Sequence, residues 1–181
     1  MHPESEIEAA ATANPWTGTD VAAILRERGW LGPGTASEIE VWLANAAVLL
    51  GPHASDRPAL EDLLHLIFHY DAREIFASAE SHTVLARSGA REVIRELANR
   101  ILAGPEIDSD RFKEIVGELK NKLRYRGREL FQPLRLALAG RPGEGELDRV
   151  ILLLDRAAKL EFCAPVKGTK QRMLEFCAAL D

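Results

Sequence analysis

Two stretches of this chain hold residues whose type and spacing could do chemistry. In the first, His65 and His69 stand four residues apart within an apolar segment. Two imidazoles at i and i+4 share one helix face, which is how a divalent metal is often gripped, and Asp62, Asp71 or His82 could supply a third ligand. The glutamate of the HExxH metalloprotease pattern is missing, however, and a helix with two ordinary histidines, one of them beside Tyr70, explains the same letters. In the second, Lys120, Lys122, Arg124, Arg126 and Arg128 alternate through a helix end and a turn, with Tyr125 between them. Lys and Arg neutralise phosphate, and a Tyr ring or an Arg plane stacks on an unpaired base. A solvated helix face accounts for the same charges, and cations near a helix C-terminus also complement the macrodipole.

The remaining candidates for chemistry are weaker. Glu6, Glu8, Glu38 and Glu40 read as solvated faces, and Glu144 and Glu146 flank glycines in a loop. There is no GxSxG elbow and no Walker loop, and Gly143-Glu144-Gly145 is too short and too acidic to cradle phosphate. The two cysteines, Cys163 and Cys177, lack metal-ligand spacing and read as structural thiols of a reduced, cytoplasmic compartment. The sequence therefore assigns no catalytic residue, no metal and no cofactor. The first residues show neither a basic nor an apolar region of a signal peptide, and no apolar run approaches the roughly 20 residues that span a bilayer.

Charge is segregated along the chain. Residues 110–141 hold nine Lys or Arg against four Asp or Glu, whereas residues 1–109 hold eight Arg, no Lys and seventeen acids. The net charge of −5 excludes whole-surface attraction to nucleic acid. It leaves room for a local basic face, because salt screens exposed charges beyond about 8–10 Å.

The elements that must position these residues read as helices. Apolar periodicity near 3.6 and flanking caps place helices over 21–28 (capped by Thr19 or Asp20), from Thr35 or Ser37 to Leu50, and from Ser55 or Asp56, with Pro58 in the first turn, to Phe68. A short helix follows Asp71, then a segment at 84–86, and then a clear amphipathic helix over 90–102. Gly104-Pro105 is the best boundary in the chain. Asp108 or Ser109 caps the next helix, which Gly127 ends, and a helix over 130–139 carries Pro133 in its first turn. Segments 147–154 and 156–162 follow, and Thr169 caps a last helix over 170–180. No stretch alternates with period two, so the expected class is all-α, ten or so short helices.

At 127–140 the chain reads GRELFQPLRLALAG. This resembles a segment of bacterial glutamyl-tRNA synthetases with the general form G-x-x-L-F/Y-x-P-L/I-R-x-A-L-T/S-G, matched by Gly127, Leu130, Phe131, Pro133, Leu134, Arg135, Ala137, Leu138 and Gly140. The apolar run ILLLDRAAKLEF resembles the family's run centred on Leu-Leu-Gly, and ALEDLLHLIFHYDAREIFASAE resembles its upstream helix. Ala139 stands where the family has Thr or Ser, and Asp155 where it has Gly.

The resemblance implies the all-α anticodon-binding half of that enzyme, a multi-helix bundle in two small lobes. The expected division is an acidic mobile arm over 1–17, a first lobe over 18–104, a second over 105–165 and a C-terminal helix over 166–181. The family's catalytic half, with its HIGH-type and KMSKS-type signatures, has no counterpart in these residues, so no enzyme activity of the chain's own is expected. The implied partner is tRNA, by resemblance that for glutamate, with a separate synthetase chain or another protein as a further partner and no membrane. The residues expected to meet RNA are Lys120, Lys122, Arg124, Tyr125, Arg126, Arg128, Arg135 and Arg141. By motif, Arg135 either touches RNA or organises the two lobes. The competing expectation is a protein-interaction module that has lost RNA binding, suggested by the acidic first lobe, Ala139 and the tail residues Met173, Leu174 and Phe176. An enzyme built on His65 and His69 is the third.

Overall fold

Short polar side chains set most of the helix starts, and apolar periodicity sets what each helix buries. A computed structural model describes residues 14–181. Thr17 opens α1 (Gly18–Glu27) in a capping box: its hydroxyl accepts the Asp20 N–H, and the Asp20 carboxylate accepts the Thr17 N–H. The cap therefore precedes Thr19 and Asp20, because the reciprocal bond needs an acid three residues after the hydroxyl. Helix α2 (Ser37–Leu50) has Ala36 at its N-cap and no side-chain cap; Thr35 donates to Glu40 instead. Asp56 caps α3 (Arg57–Phe68), Asp71 caps α4 (Ala72–Ala77), Ser78 caps α5 (Ala79–Leu85) and Asp108 caps α7 (Ser109–Lys122). Between the last two lies α6 (Ala90–Ala103), entered through Gly89.

Helix α8 (Arg128–Ala139) starts two residues earlier than the sequence suggests. Pro133 therefore lies inside it, and the bond it would donate to the Glu129 carbonyl is absent. The residue after α8, Gly140, has φ +93°, a conformation open to glycine. Helix α9 (Gly145–Ala158) runs unbroken through Asp155, where two segments were expected. Helix α10 (Thr169–Leu180) has Gly168 at its N-cap, and Thr169 is its first residue. Among the described residues there is no β-strand, in agreement with the all-α expectation, and no helix long and apolar enough to cross a membrane.

Helix α1 packs on α2, and α2 and α3 pack on α9. Helix α8 lies between α6 and α9, and α10 packs against α4, α6 and α8. Elements from both sides of Gly104-Pro105 share one buried cluster running from Val21 to Phe176. Within it the Trp42 indole donates to the Leu153 carbonyl at 3.2 Å, and Trp42, Phe68 and Phe162 meet edge to face, with centroids 5.1–6.1 Å apart. Asn14 donates to the Ala47 carbonyl and Trp16 to the Ala54 carbonyl, each at 3.0 Å, so residues 14–17 of the expected arm are seated on the bundle. Residues 1–13, with the helical turn expected at 4–11, lie outside the described residues.

The Asp155 side chain, one turn from the end of α9, is buried and accepts three hydrogen bonds. They come from the Ile107 N–H (2.7 Å), the Thr169 N–H (2.7 Å) and the Thr169 hydroxyl (2.9 Å). A carboxylate at a helix N-terminus satisfies orphan amides and favours the dipole. The departure from the family's glycine thus anchors α10, and the chain before α7, to α9. Met173 and Phe176 of α10 are fully buried in the chain's own core, while Leu174 is exposed.

Candidate nucleic-acid interface

Helix α7 turns Ile115, Val116 and Leu119 inward, and its remaining faces carry its cations, with Lys120 and Lys122 in the last turn. Leu123 leaves the helix in extended conformation, and Gly127, at φ +57°, starts the chain into α8. The turn between α7 and α8 is therefore short and carries Arg124, Tyr125 and Arg126 at its tip.

The eight sequence-derived residues fall into three groups. Lys120, Arg124, Arg126 and Arg128 surround the α7–α8 turn and form no ion pair among the described residues. The Lys120 ammonium lies 5.6 Å from the Phe131 ring centroid. Arg126 donates to the Tyr125 carbonyl (2.8 Å) and the Leu123 carbonyl (3.3 Å), which braces the turn. Arg124 and Arg128 are exposed.

The second group is tied to α6. Lys122 pairs with Glu96 at 3.0 Å, and hydrogen bonds from Arg100 and then Lys122 hold the Glu96 carboxyl below the usual range. Tyr125 donates to Glu92 at 3.1 Å, which raises its phenol pKa. Its ring covers Gly89, where φ is +87° and an added Cβ would lie 2.1 Å from the ring. Tyr125 thus fixes the turn against the start of α6.

Arg135 and Arg141 form the third group. Arg135 makes a forked bond to Asp148 (2.8 and 2.9 Å), donates to the Gly143 carbonyl (3.1 Å) and lies 4.8 Å from the Phe131 centroid. Its side chain is 11% exposed, so it braces α8, α9 and the loop between them. Arg141 lies past the other end of α8, a helix roughly 18 Å long at 1.5 Å per residue. It stands between two shallow concavities that hold Asp71 and Glu74 on one side and Asp62 and Glu146 on the other.

Sequence reasoning missed Phe131 and Gln132 as parts of this face. Phe131 is half-buried and sits between Lys120 and Arg135, and Arg87 bonds the Gln132 side chain. The i, i+3 and i+7 spacing of Arg128, Phe131 and Arg135 was the available signal.

The histidines take structural partners. The His65 and His69 rings stack at 5.0 Å, and His69 lies 2.6 Å from Glu74. Burial, then His69 and Arg28, lowers the His65 pKa. His82 contacts the Phe76 carbonyl and Asp71 caps α4. Among the described residues no three His, Cys, Asp or Glu are placed to hold a metal ion, and both cysteines are free.

Among the described residues, the all-α bundle thus carries a set of unpaired cations on the edge formed by α7, the turn and α8. The anticodon binding domain family model matches residues 8–161, and the chain belongs to that family. It is 31% identical over 85 residues to a glutamate–tRNA ligase of Carboxydothermus hydrogenoformans, covering 47% of this chain and 18% of that protein. It is 23% identical over 137 residues to a glutamate–tRNA ligase of Bacillus subtilis, covering 76% of this chain and 28% of that protein. The chain spans less than a third of the length of these relatives. No solved structure matches it.

Proposed function

We propose that this chain is a non-catalytic module that binds the anticodon arm of a tRNA, that for glutamate, in or beside glutamyl-tRNA formation. The observation that carries this reading is the set of cations Lys120, Arg124, Arg126 and Arg128, unpaired among the described residues, around one turn within the family-matched region. The glutamate assignment draws on the relatives' names. Binding here is phosphate neutralisation by the turn, with no covalent step. Tyr125 and Arg135 act by holding the turn and the α8–α9 loop in place, and Lys122 is partly neutralised by Glu96. Arg141, at the far end of α8, meets a separate part of the RNA.

The test is a filter-binding series with tRNA for glutamate and a scrambled RNA of equal length across a range of salt. Affinity for the tRNA should fall steeply with salt. The triple reversal Arg124→Glu, Arg126→Glu, Arg128→Glu should reduce the slope of log K against log salt by about 2–3, the share of three phosphate contacts. Equal affinity for both RNAs would refute the tRNA assignment. An unchanged slope in the triple variant would refute this turn as the site.

A further inference from the structure

A helix leaves its last carbonyls without donors from its own backbone, and buried ones need partners from elsewhere. At the end of α3 the His65 carbonyl takes the His69 N–H, and at the end of α8 the Leu136 carbonyl takes the Gly140 N–H. The next carbonyls on both helices are satisfied by two side chains. Tyr70 donates its hydroxyl to the Ala137 carbonyl at 2.6 Å. Arg172, from α10, donates to Leu66 (3.0 Å) and Ile67 (2.8 Å) on α3, to Leu138 (2.9 Å) on α8, and to Lys167 (2.8 Å) just before its own helix.

Arg172 is 0% exposed. Its charge faces the negative ends of two helix dipoles and lies 4.6 Å from the Tyr70 ring centroid. Burial pulls its pKa down to about 10, which leaves it cationic at neutral pH. The helix that delivers it is held at its start by Asp155, and Lys167 bonds the Tyr70 carbonyl and Glu175, each at 2.9 Å. Lys167, Thr169, Arg172 and Glu175 lie beyond residue 161, where the family match ends, whereas the groups they hold on α3, α8 and α9 lie within it.

We propose that residues 166–181 form an internal latch, and that Arg172 is a positioning residue that fixes the end of α8, and with it the 140–143 turn that carries Arg141, against α3. The order imposed on that turn is a property of the chain alone. Its consequence for RNA rests on the anticodon-arm reading, because Arg141 stands three residues after Leu138.

The experiment compares the full chain with Arg172→Met, which keeps bulk and removes the donors, and Arg172→Lys, which restores one donor group and the charge. Tyr70→Phe is the milder variant, deleting a single donor to the same end of α8. Amide hydrogen exchange without RNA should accelerate by about tenfold or more at 68–70 and 140–143 in Arg172→Met, as expected when buried carbonyls lose their donors. It should be partly restored in Arg172→Lys, show a smaller rise in Tyr70→Phe, and stay at the wild-type rate in the 123–127 turn. If one molecule in ten keeps the turn in place, the apparent Kd for tRNA rises about tenfold with the same salt slope. Unchanged exchange at 140–143 in both Arg172→Met and Tyr70→Phe overturns the latch. Faster exchange with unchanged tRNA affinity overturns the positioning role. Should the wild type bind no tRNA while the exchange pattern appears as described, the latch stands and the anticodon-arm reading fails.

Discussion

Replacing Arg135 with alanine asks whether the arginine of the LFQPLR segment is a brace or a contact to RNA. The change removes two charge-assisted bonds to Asp148 and one bond to the Gly143 carbonyl, and it takes a cation from the face of Phe131. Cutting one partner from a fully buried pair costs about 3–5 kcal/mol. Arg135 is 11% exposed and Asp148 is 22% exposed, so water recovers part of the stranded Asp148 charge. The expected loss is therefore about 2–3 kcal/mol. Asp148→Ala should cost a similar amount, and the double variant less than the sum by about 1–2 kcal/mol, the signature of a direct pair. Urea unfolding followed by circular dichroism measures each value, with an unchanged denaturant slope. Well below the unfolding midpoint, tRNA binding by Arg135→Ala should keep the wild-type salt slope, its Kd rising only as far as the loosened α8–α9 loop displaces Arg141. Stability within about 0.5 kcal/mol of wild type, combined with a tenfold weaker Kd and a slope reduced by about 1, would refute the brace and make Arg135 an RNA contact.

Two further outcomes follow from buried or half-buried groups. Asp155→Ala strands the Ile107 and Thr169 amides and should cost about 3 kcal/mol, whereas Asp155→Asn, which keeps an acceptor, should cost less; urea titration ranks them. His65 has a pKa lowered below its ordinary 6.5, so its contribution to stability is complete above pH 6.5 and is lost as pH falls through the folded-state value. The thermal stability of wild type should therefore fall as pH drops below 6.5, and His65→Gln should flatten that dependence.

Short-range signals made the fold legible. Asp56, Asp71 and Asp108 announced helix starts because a carboxylate bonds amides two or three residues ahead, and Gly140 announced a stop because a left-handed residue must follow α8. The errors arose where a local signal had a distant cause. Asp155 looks like a break in an apolar run, yet its carboxylate is satisfied by Thr169 and Ile107, so α9 continues through it. Pro133 was placed in a first turn because the helix start at Arg128 carries no side-chain cap to reveal it. In the site, the cations themselves were legible, but their partners were not. Lys122 meets Glu96 and Tyr125 meets Glu92, both on α6, and nothing local in the sequence encodes which acids lie across that packing. The charge run therefore divides into free cations and braces only when the fold is known.

The bonds from Arg172 to Leu66 and Ile67 join residues 106 and 105 positions apart, and the Tyr70 hydroxyl reaches residues 67 and 102 positions ahead. Such closures fall late in folding, since loop entropy is lost before the contact forms. During synthesis from the N-terminus, α3 is complete more than a hundred residues before its final donor is made. Its terminal carbonyls must stay hydrated through that interval, and the bundle loses this water only when the twelve residues of α10 close over them. The docking of α10 is thus the step that completes the ends of α3 and α8.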